Sequence, residues 1–350
     1  MSKIKILYTI PNFKTAGSQY VLLSLFRNID RTVFEPFICI EKFPGSVPED
    51  VLKNQLILFE WSGKMSRDVL DFRSVLKKHN IDILHSWDYK SNYTEALACR
   101  LAGVKYLYTK KNNAWSKRWL LKSWLSSHIA YDNPEMKARF FNSFLLRHKI
   151  SFIPHGVDTK VFKALKPIDH ATFNLVCVGN IGDNKNQLFI LKALKNLPQN
   201  IVLHLYGKED KEYRKKLDDF IELNTIKERV LFHGFLANKI IPQVYREMDL
   251  FVLASYQEGL PVSILEALAC GLPVLSSDSG GGANYILSRG GGYVFHLDNP
   301  NSLADNLKKM ATDKEEMKRL SIEGLNNIKA NFSVKGEISS YEKVYLNITK

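Results

Sequence analysis

The stretch DLFVLASYQEGLPVSILEALACGLPVLSSDSGGG, Asp249–Gly282, decides the fold. It opens on a short apolar run, DLFVLAS, and closes on another, LPVLSSD. Between them a helix is predicted from about Pro261. Proline suits the first helical position, and Ile264, Leu265, Ala267 and Leu268 supply an apolar face. A strand, a helix and a second strand, with both strands too continuously apolar for a one-sided sheet, mean parallel strands joined by a crossover helix and covered on both faces.

The same alternation extends outward in both directions. IKILYTI is a strand, followed by a helix near Ser18–Asn28, and FEPFICI, DILHSW and VKYLYT follow as strands with helices between them. A second series runs NLVCVGN, IVLHLYG, RVLFHGF, DLFVLAS, LPVLSSD and GGYVFHL. Between the two lies KALKPIDHATF, Lys163–Phe173, with Pro167, several charges and no periodicity, which reads as a linker. The fold class is therefore α/β, with two doubly wound, Rossmann-like domains. The first is expected over 1–164 and the second over 165–335, with a helix over 336–350 packing back on the first. Ligands of such sheets bind beyond the carboxyl ends of the strands, and the natural site of a two-domain protein is the cleft the domains face.

At 350 residues the chain has room for two domains, and its 45% apolar and 24% charged content is that of a soluble globular protein. Disorder, collagen and a small disulfide scaffold are excluded. No run approaches the ~18 apolar residues of a membrane-spanning helix. The start, MSKIKILYTIPNF, reads as a strand and lacks a signal-peptide cleavage site. Cys39, Cys99, Cys177 and Cys270 form no CxxC pair, which argues against zinc and for a reducing cytosol. The net charge of +13 is concentrated: residues 1–165 carry 26 Lys/Arg against 14 Asp/Glu, the remainder 23 against 22. The basic half is expected to meet an anion. Nucleic acid, an anionic membrane and a lipid phosphate all qualify, and a solvated basic face would look the same. No helix-turn-helix, RNP or zinc motif supports a specific nucleic-acid partner.

Glu258 and Glu266 stand eight residues apart in the deciding stretch. Glu258 falls just before the helix and Glu266 one to two turns inside it. The free N–H groups of the helix start carry partial positive charge and suit a diphosphate. One carboxylate can accept hydrogen bonds from sugar hydroxyls and the other from a ribose diol. Glu266 sits among apolar neighbours, so its charge needs a partner.

EGLPVSILEALACGLPVLSSDSGG resembles the Glu-x7-Glu signature of the family 4 retaining glycosyltransferases, which have the GT-B fold, here of the bacterial surface-polysaccharide type. FIPHGVDTKVF (Phe152–Phe162) is similar to the family's IPNGVD-x-x-x-F segment, VCVGNIGDNKN (Val176–Asn186) to its VGRL-x-x-x-KN loop, and KILYTIPNFKTAGSQYVLLSL to its first strand and glycine loop. The resemblance covers nearly the whole chain. It implies an acceptor-binding first domain and a nucleotide-sugar-binding second one. It assigns Glu258 to the donor sugar's hydroxyls, with Gly259, Leu260 and Pro261 forming the turn beside it, Glu266 to the ribose, and Lys185 to the diphosphate. It places the nucleoside base near Gly234–Phe235 and brings Gly17, in the loop Thr15-Ala16-Gly17-Ser18-Gln19 that opens the first helix, close to the donor phosphates or the acceptor. A fixed ammonium at Lys185 would stabilise the charge building on the departing nucleoside diphosphate.

The chain departs from the pattern in places. Asn180 stands after Gly179 where the family usually has Arg, so the phosphates lose a charge and a bidentate fork. Asn284 stands where Glu is common. DILHSW resembles a family segment that often reads D-x-x-H-x-H. His85 matches its first histidine and is carried over as a catalytic candidate, although a satisfied core histidine would read the same. Trp87 replaces the second, and with Asp88 it is assigned to the acceptor side, where Trp can stack on a sugar or pack under a lipid. No D-x-D is present, which fits a donor site without a metal or other cofactor.

KKNNAWSKRWLLKSWL (Lys110–Leu125) interleaves five Lys/Arg with Trp115, Trp119 and Trp124, and KARFFNSFLLRHK (Lys137–Lys149) repeats the mixture. Region 101–150 is therefore expected to touch an anionic membrane peripherally, although the apolar positions spread round the helical wheel and part of this helix must face the core. These readings imply an enzyme at the cytoplasmic face of the membrane. It would move a sugar from a UDP- or GDP-linked donor, with retention, to a lipid-linked or cell-surface polysaccharide acceptor. A sugar-nucleotide epimerase of the same architecture is the alternative.

Overall fold

The computed structural model describes residues 2–11, 13, 17–41, 48, 51–87, 91–164, 168 and 170–350. They form two compact units, Met1–His155 with Val334–Lys350, and Gly156–Ser333. The break comes earlier than the Lys163–Phe173 segment. Val157 pairs with Ser333 in a parallel bridge, and Val157 and Phe162 are buried in the second unit's core, so the chain has already joined that unit. Pro167 lies outside the described residues.

The first unit holds β1 (Ile4–Ile10), α1 (Gly17–Asn28), β2 (Phe34–Ile40), β3 (Leu56–Leu58), α2 (Met65–Lys78), β4 (Ile83–Ser86), α3 (Thr94–Ala102), β5 (Lys105–Lys110), α4 (Lys117–Leu125), β6 (His128–Tyr131), α5 (Glu135–Phe140) and β7 (Ile150–Phe152). Its sheet runs β3-β2-β1-β4-β5-β6-β7, all parallel, so the order reverses between β1 and β4. The second unit holds β8 (Phe173–Val178), α6 (Gln187–Leu194), β9 (Ile201–Tyr206), α7 (Lys211–Leu223), β10 (Val230–Gly234), α8 (Ile241–Arg246), β11 (Leu250–Leu253), α9 (Val262–Ala269), β12 (Val274–Ser277), α10 (Gly282–Leu287), β13 (Gly292–Phe295), α11 (Pro300–Thr312) and α12 (Lys314–Asn331). Its parallel sheet runs β10-β9-β8-β11-β12-β13 and reverses between β8 and β11. The reversal is where such a sheet opens a crevice at its carboxyl edge.

The helices bury one stripe each against these sheets. In α2 the buried positions Val69, Phe72 and Leu76 recur at helical spacing, and Phe72 and Leu76 are fully enclosed. Leu76→Ala would cost about 2–5 kcal/mol. The last helix, α13 (Val334–Thr349), belongs to the first unit. Tyr341 and Tyr345, one turn apart, are wholly buried there. The Tyr341 hydroxyl is 3.0 Å from Thr109 Oγ1, and the Tyr345 hydroxyl donates to that of Tyr8. Glu337, on the same helix, holds His155 Nδ1 at 3.0 Å, and Asp132 lies 3.3 Å from His155 Nε2. Burial alone would lower the pKa of His155. Hydrogen bonds and charge from the two carboxylates outweigh it and raise the ring to about 9. A buried ion triad thus ties the ends of β6 and β7 to α13.

The basic aromatic segment is shorter as a helix than the wheel assumed. The nine residues of α4 stop at Leu125, and Ile129 lies in β6. Trp119 is buried, with Lys110 Nζ 4.0 Å and Lys122 Nζ 5.1 Å from its ring centre. Trp115 stacks on Phe140, and only Trp124 faces out, 54% exposed. Lys110, Lys111 and Lys122 are likewise buried among rings. Burial lowers the Lys110 ammonium to about 7. Those three cations hold the unit together through ring faces and backbone carbonyls, with Lys111 Nζ donating to Trp87 O at 2.6 Å. No helix among the described residues is long and apolar enough to cross a membrane.

Candidate active site

The deciding stretch folds as strand β11, a turn, helix α9, strand β12 and the glycines that open α10. Pro261 takes the N-cap of α9 and not its first turn, with extended dihedrals of φ −72° and ψ 101°. Glu258 therefore lies in the turn ahead of the helix. Its backbone N–H donates to Ser279 O at 2.7 Å, which fastens the turn to the end of β12. Leu260 and Pro261 are buried beneath it.

A second loop meets this turn. After β8 the chain passes Gly179, exposed Asn180 and a short 3-10 turn, Asp183–Lys185, before α6. Lys185 Nζ donates to Glu258 Oε1 at 2.6 Å. Tyr256 N–H donates to Asn184 O at 2.8 Å and Asn184 Nδ2 to Gln257 O at 3.0 Å, so three bonds stitch the loops beyond β8 and β11 together. A Cβ at Gly179 would stand 3.1 Å from Lys185 Cε, so the glycine leaves room for the lysine stem. The turn after β11, the loop after β8 and the start of α9 thus gather at the point where the strand order reverses.

Glu266 lies within α9, 7% exposed. Burial raises its carboxyl to about 7, against the opposing effect of Asn238 Nδ2, which donates to Oε1 at 2.9 Å. Phe235 follows β10 and is 52% exposed.

Sequence reading missed two glycines that shape this place. A Cβ at Gly207 would fall 1.9 Å from Gly179 O, and one at Gly282 would fall 1.8 Å from Gly259 O. Each lets a neighbouring loop close onto the site. Gly207 ends its strand as Gly179 ends β8, a signal that was legible. Asn238 had none, because its bond is made to Glu266 in α9, 28 residues on.

The first-unit candidates fall out differently. His85 is wholly buried, with Nδ1 2.7 Å from the Tyr345 hydroxyl and Nε2 2.8 Å from Thr109 Oγ1. Burial, then the nearby Lys111, holds its pKa well below the usual histidine range. Both ring nitrogens are thus engaged by core hydroxyls of β5 and α13. Trp87 is 1% exposed, 5.1 Å edge-on from His85 and under Lys111, and it packs where a sugar platform was expected. Gly17 opens α1. Thr15, Ala16 and Asp88 lie outside the described residues. Among the described residues no three His, Cys, Asp or Glu are grouped to hold a metal ion.

Comparison with known proteins places this geometry. The model of glycosyl transferases group 1 matches residues 158–326, and that of glycosyltransferase family 4 matches 15–161. The chain is 26% identical over 385 aligned positions to an Escherichia coli UDP-Gal:alpha-D-GlcNAc-diphosphoundecaprenol alpha-1,3-galactosyltransferase, covering 99% of this chain and 98% of that one. A lipopolysaccharide core biosynthesis mannosyltransferase of Rhizobium meliloti is 26% identical over 215 positions, 57% of this chain and 61% of its own. The fold is shared with a Rickettsia africae glycosyltransferase (TM-score 0.84, 17% identity, all of both chains) and with Anabaena HepE solved with UDP and glucose (TM-score 0.83, 17% identity, 98% and 100%). With the two models spanning 15–326 between them, and two parallel sheets that match GT-B structures, the chain belongs to the family 4 glycosyltransferases.

Proposed function

We propose that the chain transfers a sugar, with retention of anomeric configuration and without a metal, from a UDP- or GDP-linked donor to a lipid-linked or cell-surface polysaccharide acceptor. The observation that carries this reading is the Lys185–Glu258 pair, fixed at the strand reversal just before α9. Glu258 would accept from the donor sugar's hydroxyls and Lys185 would hold the diphosphate. Glu266 would take the ribose diol and Phe235 would pack against the base, with Gly179, Asn180 and the Gly259–Pro261 turn lining the phosphates. Asn180 supplies no charge, so Lys185 and the free N–H groups of α9 carry the anion.

None of the matched positions offers a nucleophile, so attack comes from the leaving group's own face. The bond from the anomeric carbon to the phosphate oxygen breaks, the acceptor oxygen bonds to that carbon, and the acceptor's proton passes to the departing phosphate. Support for the acceptor comes from the relatives, one named for a diphosphoundecaprenol substrate and another for the lipopolysaccharide core. A place at the inner face of the cytoplasmic membrane, with region 101–150 against anionic lipid, follows from the charge of that region and from the exposure of Trp124, Phe144 and Leu145.

The test is thermal melting with UDP, GDP, ADP and CMP in the absence of metal, beside Lys185→Ala and Glu266→Gln. Saturation at about 100 times the dissociation constant adds about 2.7 kcal/mol of stability. One diphosphate should stabilise the parent and neither variant. No response from any nucleotide would overturn the reading. So would a product with inverted anomeric configuration, or an epimerised donor formed when no acceptor is added.

A further inference from the structure

Helix α4 stands between two cavities of opposite character. One, of about 790 Å³, lies at the carboxyl ends of β1 and β2 and is lined by Glu41, Trp61, Tyr93, Glu95 and, from α4, Arg118. Its size suits a small ligand, and carboxylates beside aromatic rings suit a hydroxyl-rich, uncharged one. Trp61 is braced by Phe59 and Phe72, with ring centres 4.7 and 5.1 Å away. The other cavity is a groove of about 310 Å³ lined by Leu120, Leu121, Trp124, Leu145 and, from α4, Lys117. Its walls are almost wholly apolar, and Leu120, Trp124 and Leu145 are 50, 54 and 60% exposed. Consecutive residues on one helix thus edge a polar pocket and an apolar groove. Both are exposed cations, the first turn of α4 has no acid, and neither forms an ion pair among the described residues.

A sugar pocket, two adjoining cations and an apolar groove in sequence match one kind of molecule. We propose that the acceptor is a lipid-linked sugar diphosphate that straddles α4, its sugar beside Trp61, Tyr93 and Glu95, its diphosphate at Lys117 and Arg118, and the first carbons of its tail in the Leu120–Trp124 groove. This deepens the transfer reading and rests on it. It moves the acceptor site away from buried Trp87. The rest of the tail leaves beside exposed Phe144, toward the lipid surface that region 101–150 faces.

The full-length protein is titrated with three soluble probes: N-acetylglucosaminyl diphosphate carrying a decyl chain, the same diphosphate with a methyl group for the chain, and decyl N-acetylglucosaminide without the diphosphate. The complete probe should bind at least tenfold more tightly than either fragment. Lys117→Ala with Arg118→Ala should bring it level with the decyl glycoside, and Leu120→Ser with Trp124→Ser level with the methyl diphosphate. Melting with the stabilising nucleotide serves as the separate readout. A parent that no nucleotide stabilises loses the transfer reading itself. A parent that nucleotide stabilises but that binds the three probes within twofold of one another loses only the straddle. Variants that weaken every probe alike would also overturn it. The same holds if Leu120→Ser with Trp124→Ser abolishes binding to phosphatidylglycerol vesicles yet leaves the decyl effect intact, since the groove is then a bilayer anchor.

Discussion

Lys185 Nζ lies 2.6 Å from Glu258 Oε1, and both side chains are mostly withdrawn from water, 21 and 15% exposed. The pair joins the loop after β8 to the turn after β11. A charge-assisted bond so placed contributes about 1.5–3 kcal/mol when one partner is removed. Lys185→Ala should therefore lower stability by about 2 kcal/mol, and Glu258→Gln by less, because the amide oxygen still accepts from the ammonium. On the proposed reading Lys185→Ala also cuts kcat/KM by about 100-fold or more. Urea unfolding of both single variants and the double gives the coupling directly. A coupling of zero would show that the two loops are held by the Asn184 bonds alone.

Gly282 touches the same turn from the far side. An added Cβ would fall 1.8 Å from Gly259 O and 2.9 Å from Gly259 C, backbone atoms that only a shift of the turn can move. Gly282→Ala should displace Glu258 and abolish nucleotide stabilisation while unit cores stay folded. Gly182→Ala is the control, since its Cβ would meet only Asp210 Cβ, at 4.0 Å. Equal melting shifts with nucleotide in the two variants would refute the link between the α10 glycines and the site.

His155 and its two carboxylates give the first unit a pH dependence of known sign. The ring's pKa is about 9 in the fold, above the ordinary histidine value of about 6.5. Its stabilisation is complete below about 6.5 and is lost as pH rises through 9. His155→Asn removes the cation that bridges buried Asp132 and Glu337, at a cost of about 3 kcal/mol at pH 7. The melting temperatures of parent and variant should converge between pH 7 and 10. A constant gap across that range would mean the ring is neutral in the fold.

His85 tests the opposite expectation. Enclosed by Tyr345 and Thr109, it should be replaceable for chemistry and not for packing. His85→Gln is expected to lower the melting temperature and leave kcat of the folded enzyme within about threefold. A loss of two orders of magnitude at unchanged stability would return it to the reacting atoms.

Continuous apolar runs made most of the sheet readable. IKILYTI and FEPFICI are strands over their full quoted lengths, and the Asp249–Gly282 stretch folds as strand, helix and strand. The apolar pattern does not show Leu56–Leu58 and Ile150–Phe152, three-residue edge strands too short to have a period, or the four-residue His128–Tyr131. Lys185 and Glu258 stand in two glycine-bounded loops that the family resemblance reaches directly, but the bond between them depends on how those loops meet. The surroundings of His85 and Trp87 were not legible, because α13 packs over them from about 250 residues away. A separation of 182 residues likewise hid the His155–Glu337 bond.

Glu266 is the residue where burial and the proposed role make a joint demand. Its carboxyl is pushed up to about 7, so the folded protein prefers it protonated. That contribution is greatest below the unfolded value near 4.5 and is lost as pH rises through 7, a change of about 3 kcal/mol at most. Glu266→Gln should therefore gain stability relative to the parent between pH 5 and 8. Ribose hydroxyls donate hydrogen bonds and so favour the ionised carboxylate. Nucleotide binding at pH 6.5 should then release protons, and affinity should rise from pH 6 to 8 in the parent. Calorimetry in two pH 6.5 buffers of different ionisation enthalpy reads the proton count. Identical heats in both would show that Glu266 keeps its proton when the nucleotide binds, and the ribose would have to be held by another group.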